Sequence, residues 1–243
     1  MRVERRFFPD RTRILFFDLE YYVPAPDRAR HTRSGMRFSP HLADHKLLGG
    51  AFLTYLPMLD RVTRRTEFWV WSHDDETAML RALTAHLQAE WKPYADARQE
   101  GSPILAGIGI GHSDVPCLVT RIAQHGILDA VQAHDLLYGC RQLDLGVASF
   151  GQFALNHPYF AYPKTKRQLY EKYAGGKRID PGRSVWDLYD RGDHAAIETR
   201  CREEVEDALA IYRAMCETKH QTDAALKRLK QLRKRFADEL APA

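Results

Sequence analysis

The stretch Phe16-Phe17-Asp18-Leu19-Glu20 decides the reading of this chain. It ends an apolar, β-rich run that begins at Ile14, and on a strand residues two apart point to one face, so Asp18 and Glu20 project together. Two adjacent carboxylates repel each other. The pairing becomes favourable when a divalent cation lies between them, and hard oxygen donors suit Mg²⁺ or Mn²⁺. A solvated strand end is the ordinary alternative for an isolated Asp-x-Glu, so the weight falls on what the rest of the chain adds.

Leu47 to Leu56 and Thr66 to Trp71 are further strand candidates, separated from the first by Val23 to His45, a surface excursion rich in Pro, Arg and His. Asp74 to Trp91 spaces Met79, Leu80, Leu83 and Leu87 as an amphipathic helix, with Ser72 or Asp74 as its cap. Pro103 to Ile110 predicts a fourth strand. It is closed by Gly111-His112-Ser113-Asp114, which puts an acid at the start of a helix over Val115 to His125. Arg141 to Val147 predicts a fifth strand. Two closing helices are expected, His194 to Glu217 and Thr222 to Leu240, the second with a leucine stripe and a basic face. Strands, then alternating strand and helix, then helices, describe an α/β fold with a mixed sheet.

In the first closing helix, Val205, Ala208, Leu209 and Tyr212 define the buried face, which brings Glu204 and Asp207 near its edge. Which of the two acids serves is left open. A net charge of only +4 cannot assign a partner to the whole chain, so nucleic-acid contact has to come from local patches. The candidates are Arg28, Arg30 and Arg33 in the first loop, and Tyr162, Lys164, Lys166 and Arg167 in the later basic stretch; cations interleaved with aromatic rings suit a single strand.

Cys117, Cys140, Cys201 and Cys216 form no CxxC pair and read as free thiols of a reducing cytoplasm. No apolar run reaches the roughly 18 residues of a membrane span, and the arginine-rich start lacks a signal-peptide core. Neither secretion nor membrane insertion is expected.

FFDLE at 16–20, GIGIGHSDVPCL at 107–118 and CREEVEDALAIY at 201–212, taken in that order and context, resemble the DEDD 3′-5′ exonucleases of the ribonuclease-H-like superfamily, the group of proofreading domains and RNase D. The resemblance implies a five-stranded mixed sheet flanked by helices over residues 1–218; residues 219–243 read as a basic helical extension whose charged face suits duplex phosphates and whose leucine stripe suits docking on the main domain or a protein partner. It implies hydrolysis of DNA or RNA phosphodiester bonds at a single-stranded 3′ end by two Mg²⁺ or Mn²⁺ ions. Asp18 would bridge the ions, Glu20 and Asp114 would complete their shells, and Glu204 or Asp207 would be the fourth acid. The family places Tyr four residues, or His five, before that acid. Here those positions hold Arg200 and Thr199 counting from Glu204, and Glu203 and Arg202 counting from Asp207, so the usual general base is missing. The rival reading is a nucleic-acid-binding or accessory module with impaired catalysis.

Overall fold

The computed structural model describes residues 12–29, 37–95, 101–149, 163, 165–176 and 181–239, with the side chains of 95 and 233–239 not described. Strands β1 (Ile14–Tyr22), β2 (Lys46–Leu56), β3 (Arg61–Trp69), β4 (Ile104–Gly107) and β5 (Arg141–Asp144) form one sheet in the order β3-β2-β1-β4-β5. The β1–β2 and β2–β3 pairs are antiparallel, whereas β1–β4 and β4–β5 are parallel. This is the mixed α/β sheet of the ribonuclease-H-like fold that the sequence motifs imply.

Strand β1 is central and buried on both faces, which is why it reads as a continuous apolar run rather than an alternating one. Its odd and even residues serve different layers. Leu15, Phe17 and Leu19 pack against helix α1 (Glu76–Ala95), α2 (Asp114–Gln124) and α3 (Ala130–Tyr138) through Met79, Leu83, Leu118, Ile122 and Leu137. Ile14 and Phe16 pack on the opposite face against Ile197, Cys201, Val205 and Leu209 of the long C-terminal helix. Asp18 and Glu20 follow Ile14 and Phe16 in that alternation, so β1 delivers both acids to the side where the last helix lies.

Beyond Glu20 the register with β2 shifts between Glu20 and Tyr21. Gly49 lies opposite Glu20 with φ +137°, and a Cβ there would fall 1.9 Å from the Phe68 carbonyl oxygen, so only glycine lets β3 close against β2 at this level.

Short helices α4 (Leu145–Ala148), α5 (Lys166–Tyr173) and α6 (Ser184–Asp190) lead to α7 (His194–Glu239). The two closing helices expected from sequence are therefore one helix of 46 residues. No Gly or Pro interrupts residues 214–223, and the joint is stitched by a Lys219–Asp223 ion pair at 2.6 Å, a Gln221–Glu217 hydrogen bond at 3.0 Å and two threonine hydroxyls bonded one turn back. Two smaller differences concern α1 and α3. Asp75, not Ser72 or Asp74, caps α1, accepting from the Ala78 amide at 2.7 Å; α3 has no counterpart among the expected helices, although Asp129 and Gln132 form a capping box at its start.

Candidate active site

The acids expected from sequence converge at the carboxyl ends of β1 and β4. Asp18 is half-buried, and Glu20, Asp114 and Glu204 are buried. Glu204 reaches them from α7 because that helix turns the stripe Ile197, Cys201, Val205 and Ala208 onto the sheet and keeps Arg200 and Glu204, one turn apart, at the stripe's edge. Asp207 is half-buried and does not line the cavity described below. Of the two alternatives on this helix, Glu204 is the one that meets Asp18 and Glu20.

Asp114 is positioned by its loop and by a tyrosine. The loop from Gly107 to Gly111 is held by Asp144, whose Oδ1 accepts from the Gly109 amide at 3.0 Å and whose Oδ2 accepts from the Gly111 amide at 3.3 Å. Gly109 turns there with φ +80°. Asp114 then opens α2, with its carboxylate accepting from the Tyr21 hydroxyl at 3.0 Å and from the Ser113 hydroxyl. Asp114 is thus the first residue of α2 rather than its cap, the cap being Ser113, and both hydroxyls that reach its carboxylate come from outside that helix.

Two cations stand inside the cluster. Arg200 donates from Nη1 to Oε1 of Glu20 at 2.5 Å and from Nη2 to Oε1 of Glu204 at 2.6 Å. Lys166, the first residue of α5, donates to Oε2 of Glu204. Cys201 lies at the floor, its thiol donating to the Asp18 carbonyl at 3.3 Å.

The electrostatics follow from burial and crowding. Burial, and then the neighbouring carboxylates Glu204, Glu20 and Asp114, raise the Asp18 carboxyl well above its usual range, against the pull of Lys166. Glu20 is pushed up to about 8, first by burial; Arg200 opposes this and Glu204 adds to it. Burial also raises Asp114, while its hydrogen bonds from Ser113 and Tyr21 hold it down. Asp18 and Glu204 raise the Lys166 ammonium in spite of its burial, so it stays charged. The two internal cations therefore leave the acids incompletely compensated.

Three of these acids open into a cavity of about 730 Å³, with Asp114 behind its wall. Asp18, Glu20 and Glu204 lie within it together with Lys166 and Arg200, and Arg37, Arg167 and Arg183 contribute further positive charge. Tyr21, Phe38 and Trp186 line it with aromatic surface. Sequence reading missed Arg37, Arg183, Trp186 and Cys201 as site residues. Arg37 belongs to the first loop that was flagged, but nothing local distinguishes it from its neighbours there, and Arg183 lies beyond the later basic stretch.

The other flagged cations are placed differently. Arg28 pairs with Asp190 at 2.6 Å and Asp187 at 3.3 Å and lies over the Trp186 ring at 5.6 Å, so it props the cavity wall from behind. Arg167 is largely exposed and pairs with Glu171 at 2.8 Å. Arg30, Arg33, Tyr162 and Lys164 lie outside the described residues.

A divalent ion fits the donor set. Asp18, Glu20 and Cys201 each offer a ligand atom, all within 4.8 Å of one another, and the two carboxylates, once deprotonated by an entering cation, supply hard oxygen donors. Among the described residues no helix is long and apolar enough to cross a membrane.

No known protein family and no curated protein matches the chain. Among solved structures it is similar to the family B DNA polymerase from the hyperthermophilic archaeon Pyrobaculum calidifontis, with a TM-score of 0.55 and 16% identity, over 84% of this chain and 24% of the polymerase chain. The chain thus spans about a quarter of that polymerase's length, and the likeness is one of fold.

Proposed function

We propose that this chain is a divalent-metal-dependent nuclease, a 3′-5′ exonuclease that hydrolyses phosphodiester bonds at the end of a nucleic-acid strand. The observation that carries the reading is the opening of Asp18, Glu20 and Glu204 into one cavity rimmed by Arg37, Arg167 and Arg183 and walled by Phe38 and Trp186. Acids that hold a cation, beside cations and rings that hold a polyanion with stacking bases, suit a phosphodiester substrate better than any neutral one.

Asp18 and Glu20 would hold the ion, with Asp114 close enough to add to its field, and Mg²⁺ or Mn²⁺ suits their oxygens. When bound, such an ion neutralises phosphate charge and acidifies a water. The protein's own groups do the rest. Arg37 and Arg183 draw in the phosphate backbone, Trp186 offers a face to a base, and Tyr21 fixes the Asp114 carboxylate through its hydroxyl. The basic half of α7 extends from this unit as a further surface for nucleic acid or a protein partner.

A second reading, a binding module without catalysis, is favoured by Arg200 and Lys166, which pair with Glu20 and Glu204, the acids that would otherwise be free to ligate an ion. One experiment separates the two. Purified protein is incubated with Mg²⁺ or Mn²⁺ and end-labelled single- and double-stranded DNA and RNA, beside an Asp18→Ala control. Stepwise shortening from the 3′ end, lost in the variant, supports the nuclease; salt-sensitive binding without cleavage under either metal selects the binding module.

A further inference from the structure

Both oxygens of Glu204 are taken by the protein itself. Oε1 accepts from Arg200 at 2.6 Å and Oε2 accepts from Lys166, while the second terminal nitrogen of Arg200 bridges to Glu20 at 2.5 Å. Arg200 therefore links the acid of β1 to the acid of α7, the two sides between which a pair of metal ions would have to sit. Asp18 and Glu20 are spared complete capture. With Cys201 they still bring ligand atoms within 4.8 Å of one another, which is room for one ion.

Charge agrees with geometry. With the acids deprotonated around a bound cation, Asp18, Glu20, Asp114 and Glu204 would set four negative charges against the positive charges of Lys166 and Arg200, and the remaining two would be matched by a single divalent ion. A second ion would make the centre net positive while Arg200, whose guanidinium keeps its proton in any protein environment, stayed in place.

We infer that Arg200 and Lys166 stand in for a second cation, so that the site takes one divalent ion, held by Asp18 and Glu20, and the two protein cations face the phosphate beside it. The inference rests on the metal-dependent reading above and departs from the two-ion expectation of the sequence motifs. In this role Arg200 and Lys166 are built-in counterions, and they explain why the position four residues before Glu204 is cationic rather than aromatic.

The test is a titration of the full chain with Mn²⁺, followed by the electron paramagnetic resonance signal of free Mn²⁺, for wild type, Arg200→Lys, Arg200→Met, Lys166→Met and the Arg200→Met/Lys166→Met double variant. Circular dichroism shows which variants fold. The expected result is one ion per chain in wild type and in Arg200→Lys, where the charge is kept, and two in Arg200→Met or in the double variant. Lys166→Met provides the same reading should Arg200→Met fail to fold. Two ions in the wild type would overturn the one-ion assignment and leave the metal-dependent reading standing. One ion in the wild type and still one in the folded double variant would also overturn it. No ion in wild type or in any variant would remove the metal-dependent reading itself.

Discussion

Arg200 on α7 lies 2.5 Å from Glu20 on β1 although 180 residues separate them in sequence, and the same guanidinium holds Glu204 at 2.6 Å. The centre is thus cross-linked by charge before any ion enters. Glu204 is the hinge of that arrangement, because it is buried and accepts from both Arg200 and Lys166. Replacing it by Gln leaves two cations short of one partner, and breaking such a buried pair from one side costs about 3 kcal/mol. Glu204→Gln is accordingly expected to lower stability by that amount in urea denaturation and to reduce cleavage on the order of 10²-fold. Asp207→Asn, made outside the cavity, should retain both; a variant that lost cleavage as fully as Glu204→Gln would return the fourth-acid role to Asp207.

Stability should depend on pH with an unusual sign. Burial holds the Glu20 carboxyl at about 8, above its ordinary 4.5, and raises Asp18 and Asp114 as well. A carboxyl raised on folding binds its proton more tightly in the folded state, so stability falls as pH climbs from the unfolded value towards the folded one. For Glu20 that window runs from about 4.5 to about 8. The metal-free protein should therefore melt at lower temperature at pH 8 than at pH 5.5 in the presence of chelator. Mn²⁺ binds the deprotonated acids, so its stabilising increment should be larger at pH 8. A melting temperature that rises with pH under chelator, or an increment independent of pH, would show that these carboxyls are not raised.

The strands were readable because β1 is buried on both faces and β2 nearly so, which leaves unbroken runs such as ILFF and LLGGAFLTYL in the sequence. Asp18 and Glu20 were readable for the same reason: two acids ending an apolar run contradict the local pattern. The ion pairs were not readable. Arg200 sits in RCREEVED, whose buried face was readable from Val205 and Ala208, but no local signal says that a cation at that face's edge pairs with Glu20 on a strand 180 residues away. Lys166 in KTKR was a candidate for nucleic-acid contact, and nothing in that stretch indicates that α5 aims it at Glu204. Helix α3 lacked a signal because Ala133 and Leu137 alone make its buried stripe.

Cations around the cavity should divide into those that grip substrate and those that brace the wall. Arg37 and Arg183 line the cavity, while Arg28 is committed to Asp187 and Asp190. Arg183→Ala or Arg37→Ala should weaken binding to a single-stranded oligonucleotide and reduce the salt slope of log affinity by about 1, as expected for one lost phosphate contact. Trp186→Ala should cost about 1–3 kcal/mol of binding if a base stacks on its ring. Arg28→Ala should leave the salt slope unchanged. Fluorescence anisotropy over a salt series reads all four, and an Arg28→Ala slope that drops as far as that of Arg183→Ala would return Arg28 to the phosphate-binding set.

The distal part of α7 should be dispensable for folding. At a rise of 1.5 Å per residue its 46 residues extend about 70 Å, far beyond the sheet. Burial ends with Met215 at 6% exposure, and residues 219–232 are exposed throughout, including Leu226, Leu229 and Leu232 at 50%, 44% and 41%. Core packing thus gains nothing from this segment, so truncation after Thr218 should change stability by less than about 0.5 kcal/mol in urea denaturation. Lys227, Arg228 and Lys230 go with it. If the segment tracks phosphates, the truncated chain should bind duplex more weakly and with a shallower salt slope, while the cleavage centre at Asp18 is untouched. Loss of stability well beyond that bound would mean that the exposed leucines are covered in solution, and sedimentation of the full chain against the truncated one would then show an assembly that disappears with the segment.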